Sequence, residues 1–291
     1  MTALLLDGKA LSHDYRRRLE AKVAEFRARV GVQPGLATVL VGEDPASEVY
    51  VANKRKAAAS VGIADFHRHL SAASSEADVA SVIDELAADP RVSGILLQLP
   101  LPGGLDSAPL IDRIPAAKDV DGLTTMSAGL LAAGRPGLRP CTPSGVIALL
   151  DSAGIELRGQ RAVVVGRSRL VGLPLAQLLI QRHATVAVTH THTADLAAET
   201  RRADVVVAAA GVPGLLGAEH VRSGSVVVDV GIHRTPQGLV GDVRFDEVAG
   251  RASWITPVPG GVGPMTIAML LENTLTAAER LSAATGSSVA R

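Results

Sequence analysis

The chain has 291 residues, which is enough for two modest domains or one large one. Lysine plus arginine and aspartate plus glutamate both number 29, so there is no overall basic field to attract nucleic acid or an anionic membrane. Aromatic residues make up only 2% of the chain, which argues against a stacking platform for single-stranded nucleic acid. We therefore expect no nucleic acid partner and no membrane partner.

The cysteine content indicates the compartment. Cys141 is the single cysteine, so an intrachain disulfide is excluded and a reducing environment is favoured. No histidine or aspartate pattern suggests that Cys141 is a nucleophile, and we expect a packed thiol. The leucine run at the start is interrupted by Asp7 and is too short for a signal peptide or a membrane span. A cytoplasmic protein is expected.

In chain order, the first half alternates apolar runs with helical patterns. The spacing predicts helices over 9–29, 45–61 and 75–88, and strands over 36–41 and 94–99. Such alternation is typical of a parallel sheet covered by helices. The first half is therefore expected to be an α/β domain.

The second half contains a further series of apolar runs. Strands are predicted over 162–165, 184–188, 204–210, 225–230 and 253–256. These runs are β-branched and do not alternate with polar residues, which is typical of strands buried on both faces. A last helix is predicted from about Met265 to Leu281, followed by a polar, frayed tail. The Gly- and Pro-rich segment 120–143 and the loop 257–264 are predicted hinges.

The helix over 45–61 contains a candidate catalytic pair. Asp44 can cap this helix, with Pro45 at its first position. Tyr50 and Lys54 then lie one turn apart on the same face. On an apolar face the charged ammonium loses hydration, so Lys54 is expected to exchange protons near neutral pH. The alternative is a solvated basic stripe formed by Lys54 and the two basic residues after it.

A glycine turn follows the strand over 162–165. Gly166, Arg167 and Ser168 form this turn, and Pro174 lies near the start of the following helix. A helix N-terminus offers unpaired N–H groups and a positive dipole end, which suit a diphosphate. The spacing is not a strict G-x-G-x-x-G pattern, so an ordinary strand-to-helix turn remains an alternative.

The end of the next strand favours NADP over NAD. An NAD site usually places an acidic residue about 20 residues beyond the glycine turn, where it binds the ribose 2′-hydroxyl. Here residues 189–193 are threonines and histidines, and the first acidic residue is Asp195. Thr191 and the upstream Arg167 would accommodate a 2′-phosphate. His190 and His192 could instead cap the loop, and we predict no metal site because no acidic residues support them.

Seven motifs occur in a specific order along the chain. They are VGEDPASEVYVANKRKAAASVGI, GILLQLPLP, KDVDG, RPCTPSG, VVGRSRLVGLP, VDVGIHR and TPVPGGVGPMT. Together they resemble the bifunctional methylenetetrahydrofolate dehydrogenase/cyclohydrolase family over almost the whole chain. The resemblance implies two α/β domains around a cleft, the second a Rossmann-like NADP-binding domain.

The resemblance also implies domain bounds and an oligomer. A folate-binding catalytic domain over 1–122 would be completed by the C-terminal helix, about 265–283, and the NADP-binding domain would span 140–264. A homodimer through the nucleotide domain is implied as well. The implied role is one-carbon metabolism, including purine biosynthesis.

The implied chemistry assigns roles to the residues of the first domain. Oxidation of methylenetetrahydrofolate by NADP mainly requires orientation of the reactants. Hydrolysis of the methenyl product to 10-formyltetrahydrofolate requires proton transfer, for which Lys54 is the candidate, held by Gln98. Tyr50 would offer a flat face to the folate, and Asp121 would accept hydrogen bonds from the pterin. Alternatively, Gln98 could satisfy the backbone and Asp121 could be an ordinary turn residue.

The resemblance also assigns residues to the folate and NADP sites. The implied folate contacts are Pro259 and Gly260, and the implied NADP contacts are Gly166, Arg167, Ser168, Thr191, Gly211 and Ile232. Two other functions remain open at this point. One is an NADP-dependent dehydrogenase of another small metabolite, such as a shikimate-type enzyme, and the other is a non-catalytic NADP- or folate-binding protein.

Overall fold

The computed structural model describes residues 2–236 and 238–289, with side chains placed up to residue 284. The chain divides into two compact units. The six-stranded unit, named for its sheet, contains the residues up to His13 together with Thr142–Thr266. The four-stranded unit contains Asp14–Cys141 and the chain from Ile267 onward.

The secondary structure alternates along the chain as predicted. The helices are α1 Gly8–Val30, α2 Pro45–Ser60, α3 Glu76–Ala88, α4 Ser107–Asp112, α5 Thr125–Ala132, α6 Cys141–Ser152, α7 Gly172–Gln181, α8 Leu196–Thr200, α9 Phe245–Ala249 and α10 Val262–Val289. The strands are β1 Leu4–Leu5, β2 Gly35–Val41, β3 Ala64–Asp65, β4 Arg68–Leu70, β5 Gly94–Leu97, β6 Arg161–Val165, β7 Thr185–Thr189, β8 Val205–Ala208, β9 Val226–Asp229, β10 His233–Thr235, β11 Gly238–Val240 and β12 Trp254–Ile255.

The six-stranded sheet is parallel throughout, in the order β1-β12-β9-β8-β6-β7. From β6 the chain proceeds to β7 on one side and then returns to β8 on the other. In open α/β sheets, ligands bind outside the carboxyl ends of the strands at such a reversal. The predicted Rossmann-like parallel sheet is therefore confirmed, and its carboxyl edge is the place for a nucleotide.

The core of this unit explains the uniform apolar runs. Every residue of β8 and β9 is buried. Val163, Val206, Val227 and Ile255 belong to one cluster of buried side chains. Strands covered on both faces need no alternating polar positions, which is why three consecutive valines occur in each of β8 and β9.

The four-stranded unit is built around β2. This strand is buried throughout and pairs in parallel with β5, and also with β3 and β4. The helix that follows β2 begins as predicted, because Asp44 Oδ2 accepts a hydrogen bond from Ser47 N at 2.8 Å and Pro45 lies in the first turn. The carboxyl ends of β2 and β5 therefore lead into the segments that contain Lys54 and Gln98.

The first residues of the chain, up to His13, group with the six-stranded unit, because β1 pairs with β12. The domain bounds of 1–122 and 140–264 stay a prediction. The last helix, α10, begins earlier than predicted and continues to Val289, through most of the tail that we expected to be frayed. The final two residues of that tail lie outside the described residues.

The segment 120–143 is more ordered than its glycine and proline content suggests. It contains α5 and the start of α6. Thr124 caps α5, since its hydroxyl oxygen accepts a hydrogen bond from Ser127 N at 3.1 Å. A hinge role for this segment and for 257–264 stays a prediction.

Candidate active site

Lys54 lies on the inward face of α2. Only 7% of the residue is exposed, and Val51 and Ala58 are buried on the same face. Arg55 instead forms a surface ion pair, and Lys56 is exposed. A solvated basic stripe therefore does not describe Lys54, whose ammonium is removed from most of the solvent.

Gln98 holds the amino group of this lysine. Lys54 Nζ donates a hydrogen bond to Gln98 Oε1 at 2.9 Å. Gln98 Nε2 donates to the carbonyl oxygen of Leu99 at 2.5 Å, so the amide oxygen is turned toward the lysine. Gln98 directly follows β5, and its backbone N–H continues the sheet by donating to the Val39 oxygen at 2.9 Å. A rigid strand end thus positions the lysine side chain.

The KDVDG turn uses its first two charged residues for its own structure. Lys118 Nζ donates to two carbonyl oxygens at the carboxyl end of α3, at 2.8 and 2.9 Å. The Asp119 carboxylate accepts from two backbone N–H groups just after the turn, at 3.1 and 2.9 Å. These contacts fix the turn without Asp121, whose carboxylate is the one available for a ligand.

Asp121 and Lys54 share one electrostatic environment. Burial raises the pKa of Asp121, whereas the charge of Lys54 acts in the opposite direction. The neighbouring Cys141 thiol also acts to lower the pKa of this carboxylate. The structure therefore brings Lys54, Gln98 and Asp121 into one site of the four-stranded unit.

A cluster of polar side chains holds the backbone next to Asp121. Cys141 is buried and its Sγ donates to the Val120 oxygen at 3.2 Å. Burial and the neighbouring Asp121 raise the pKa of the Cys141 thiol well above its ordinary value, so it stays protonated. Asn273 Nδ2 donates to the carbonyl oxygens of Val120 and Arg139, both at 2.8 Å. Asn273 could not be identified from the sequence, because one amide within an otherwise ordinary helix gives no signal.

Tyr50 lies one turn before Lys54 and is 41% exposed. Burial raises the pKa of its hydroxyl group, which therefore stays protonated at neutral pH. The ring is accessible next to a buried lysine, as stacking against a flat ligand would require. Its contact with a ligand stays a prediction.

The glycine turn after β6 is a close backbone crossing. Gly166 has φ +119°, and a Cβ there would lie 2.1 Å from the carbonyl oxygen of Ala209. A Cβ on Gly172 would likewise lie 2.1 Å from the Gly166 oxygen. Both positions require glycine, so the start of α7 packs directly against the turn. A backbone cradle of this kind fits a dinucleotide diphosphate.

Ser168 has a local structural role in this turn. Its Oγ accepts a hydrogen bond from Val171 N at 3.1 Å, immediately before α7 begins. The neighbouring Arg167 is exposed. The Ser168 hydroxyl group thus stabilises the turn itself. Its direct contact with the cofactor stays a prediction.

The register of two strands aligns Arg167 with Thr191. Val165 pairs with Thr189 at the ends of β6 and β7, so each of the two candidates lies two residues beyond a paired position. Thr191 is exposed, as is Arg167. Both candidates for the 2′-phosphate therefore lie at the same edge of the sheet.

The loop after β7 offers no carboxylate to a ribose. His190 closes this loop, because its backbone N–H donates to Thr193 Oγ1 at 2.9 Å and its Nδ1 accepts from His192 N at 3.1 Å. Asp195, the first acidic residue, accepts from Ala198 N at 2.8 Å and caps α8. The local chemistry therefore suits a 2′-phosphate better than a 2′-hydroxyl group.

Gly211 and Ile232 lie in the loops that follow β8 and β9. Gly211 has φ +70°, and the space where a Cβ would be is open. Ile232 is exposed. Both loops are at the carboxyl edge of the sheet, where NADP contacts were predicted, and those contacts stay predictions.

Pro259 and Gly260 belong to the six-stranded unit, in the loop between β12 and α10. The Val258–Pro259 peptide bond is cis. Gly260 has φ +108°, and its carbonyl oxygen accepts from Lys9 N at 2.9 Å. Their predicted contact with folate is not tested by these observations.

Across residues 2–236 and 238–289, no group of three or more His, Cys, Asp or Glu side chains could hold a metal ion. Within the same ranges, no helix is both long enough and apolar enough to cross a bilayer.

A parallel sheet with a glycine crossing, joined to a unit that holds a buried Lys–Gln–Asp site, defines an α/β enzyme with a dinucleotide-binding domain. Two family models match this chain. The tetrahydrofolate dehydrogenase/cyclohydrolase catalytic domain matches residues 6–121, and the NAD(P)-binding domain of the same family matches residues 140–282. The chain belongs to the tetrahydrofolate dehydrogenase/cyclohydrolase family, which confirms the predicted resemblance.

Individual relatives agree with this assignment. Bifunctional protein FolD 2 from Frankia casuarinae is 62% identical over 98% of both chains. The crystal structure of the bifunctional FolD methylenetetrahydrofolate dehydrogenase/cyclohydrolase from Campylobacter jejuni is 45% identical, has a TM-score of 0.94, and covers 96% of this chain and 99% of its own. The Trypanosoma brucei enzyme, solved with NADP cofactor and inhibitor, is 40% identical with a TM-score of 0.92, over 96% of this chain and 98% of its own.

Proposed function

We propose that this chain oxidises 5,10-methylenetetrahydrofolate to 5,10-methenyltetrahydrofolate with NADP, and hydrolyses that product to 10-formyltetrahydrofolate. The observation that carries the proposal is the hydrogen bond from the buried Lys54 to Gln98, beside Asp121. A protein that only binds folate has no need for a titratable amine in this place. Family membership favours folate over another small metabolite as the substrate.

The first step is an oxidation by hydride transfer. A C–H bond of the methylene carbon breaks, its electron pair leaves with the hydrogen, and the carbon becomes part of a methenyl cation. NADP, when bound, supplies the hydride acceptor, and the glycine crossing at Gly166 and Gly172 fits its diphosphate. No protein base is needed, so Tyr50 and Asp121 contribute by orienting the folate.

The second step consumes water. A water oxygen attacks the methenyl carbon and loses one proton, which leaves a hydroxyl group on that carbon. A carbon–nitrogen bond then breaks, the nitrogen gains a proton, and the hydroxyl group loses its proton as the formyl C=O forms, so one proton is released overall. Lys54 is the group that can relay these protons, because Gln98 fixes its Nζ at 2.9 Å. The product has a formyl group on one nitrogen, which suits formyl-transfer reactions such as those of purine biosynthesis.

An absorbance assay with methylenetetrahydrofolate and NADP tests the proposed function. NADPH and methenyl bands should rise together, after which the methenyl band should decay faster with the protein than without it. Protein-free buffer and NAD in place of NADP are the controls. If no NADPH forms, the proposal is wrong.

Arg167 is predicted to bind the 2′-phosphate of NADP. Arg167→Ala should raise the KM for NADP about tenfold to a hundredfold, because a charge-assisted hydrogen bond contributes about 1.5–3 kcal/mol. The KM for NAD should change little. Arg158→Ala, an exposed arginine before β6, is a matched control and should leave both constants unchanged. Equal effects on NADP and NAD would remove Arg167 from this role.

A homodimer through the six-stranded unit is part of the proposal. Strand β7 is at the edge of the sheet, and the adjacent helix α7 exposes Leu173 and Ile180 on one face, at 47% and 50%. An unpaired edge strand beside an exposed apolar face is a surface that a second copy could cover.

Disruption of this face should produce monomers. Ile180→Asp should halve the molar mass measured by light scattering after size exclusion, because a buried unpaired charge is strongly unfavourable in an interface. Val32→Asp, which changes an exposed valine of the four-stranded unit, should leave the mass unchanged. A monomeric wild type, or a dimeric Ile180→Asp, would contradict this arrangement. We also propose a cytoplasmic location, consistent with a single buried thiol at Cys141.

A further inference from the structure

We propose that Asp242 is a positioning residue that ties the loops after β8 and β9 together and so presents Gly211 and Ile232 to NADP. The inference rests on the proposed NADP site at the carboxyl edge of the six-stranded sheet. Asp242 does not itself need to touch the cofactor. It acts through the backbone of two loops that are separate in sequence.

The Asp242 carboxylate is fully buried and accepts three hydrogen bonds. Its Oδ2 accepts from the backbone N–H groups of Ala210 and Gly211, at 2.7 and 2.9 Å. Its Oδ1 accepts from His233 Nε2 at 2.7 Å. One carboxylate thus joins the loop after β8 to the start of β10, which follows the Ile232 loop.

A second buried carboxylate fixes the backbone of Asp242. Asp229, at the end of β9, accepts from Gly231 N and Asp242 N at its Oδ1, both at 2.9 Å. Its Oδ2 accepts from Val243 N at 2.9 Å. Burial, together with the nearby charge of Asp242, raises the pKa of Asp229 to about 6, even though these N–H groups favour the ionised form. The two acidic residues therefore form one network beneath the loops.

Two glycines allow this network to be compact. A Cβ on Gly231 would lie 2.2 Å from Asp242 Oδ1, and a Cβ on Gly241 would lie 1.9 Å from Asp229 Oδ2. Neither contact is possible with a side chain, so both glycines are required for the carboxylates to reach their donors. Gly231 therefore offers a steric route to displacing Asp242 without removing its charge.

The loops above the network are open to solvent, while the network itself is not. Gly211 has open space at its Cβ position and Ile232 is exposed. Hydrogen bonds that served only folding would not need to converge on the two loops that border the nucleotide edge. Loss of the shared acceptor frees the N–H groups of residues 210 and 211, and the loops lose their common anchor.

Cyclohydrolase activity provides an internal control, because hydrolysis of methenyltetrahydrofolate needs no dinucleotide. Asp242→Ala and Gly231→Ala should raise the Kd of NADP in calorimetry, and the KM in the dehydrogenase assay, about tenfold or more. The kcat at saturating NADP should fall much less, and hydrolysis should stay within about twofold of wild type. Asp242→Asn keeps an oxygen acceptor and should recover most of the affinity.

The matched control is Asp204→Ala, in the same unit. Asp204 accepts from Arg161 N at 2.8 Å, at the amino end of β6 and away from the nucleotide edge. Its loss should leave NADP affinity unchanged. Parallel losses of NADP affinity and hydrolysis in the Asp242 variants, or unchanged NADP affinity, would overturn the inference. A wild-type protein that binds NADP but shows no dehydrogenase activity would overturn the proposed function. The role of Asp242 would still be tested by the calorimetric Kd of NADP.

Discussion

Lys54→Gln should reduce cyclohydrolase activity by a factor of roughly 10² or more, while dehydrogenase activity persists in part. Glutamine keeps a polar side chain of similar length but cannot carry a proton between water and the folate nitrogen. Hydride transfer needs no such group, so it should fall only as far as the folate is misplaced. The measurement is methenyl accumulation alongside continued NADPH formation.

The same helix supplies the control for this prediction. Lys56 is exposed, two residues beyond the buried Lys54, and Lys56→Gln should leave both activities unchanged. Gln98→Glu, which replaces the amide by a carboxylate next to Nζ, should also impair hydrolysis by trapping the lysine as an ion pair. Unimpaired hydrolysis in Lys54→Gln would place the proton relay elsewhere.

Asp121→Asn should weaken folate binding and lower both activities together. Both steps use the same pterin pose, and a carboxylate that accepts hydrogen bonds from the pterin contributes about 1.5–3 kcal/mol. The KM for methylenetetrahydrofolate should therefore rise about tenfold to a hundredfold. Glu76→Gln, an exposed acidic residue at the start of α3, is the matched control. Loss of hydrolysis alone would move Asp121 into a catalytic role.

The pH dependence of folate binding follows from the same carboxylate. Burial raises the pKa of Asp121, so this carboxylate takes up a proton at a higher pH than an ordinary aspartate does. The ionised form accepts the pterin N–H groups, and folate affinity should decline as pH falls through this raised pKa. The ratio of wild-type affinity to Asp121→Asn affinity isolates the effect from titration of the folate itself. A ratio that is constant with pH would contradict the role.

The central elements of both units could be predicted from sequence. Strands such as β2 and β8 are buried on both faces and read as uninterrupted apolar runs. Asp44 and Pro45 mark the start of helix α2 in the sequence, because they are residue types preferred at the N-cap and in the first turn. Helix geometry then places Tyr50 and Lys54 on the same face. Local chemistry determines these features, so local sequence reveals them.

Features that depend on distant partners could not be predicted. Strand β1 forms because Leu4 and Leu5 pair with Trp254 and Ile255 of β12, which are far away in the sequence. The Asn273 amide and the Asp242 carboxylate have their roles through backbone groups that are far away in sequence. Each is a single polar residue without a repeating pattern, so only the three-dimensional structure identifies its donors or acceptors.

One isotope measurement tests both proposed steps at once. Methylenetetrahydrofolate deuterated at its methylene carbon is incubated with the protein and NADP in ¹⁸O-labelled water, and the products are analysed by mass spectrometry. NADPH should carry one deuterium, and the formyl group of 10-formyltetrahydrofolate should carry the other deuterium and one ¹⁸O. Unlabelled NADPH, or no acceleration of ¹⁸O-formyl formation over a protein-free control, would contradict oxidation and hydrolysis by this chain.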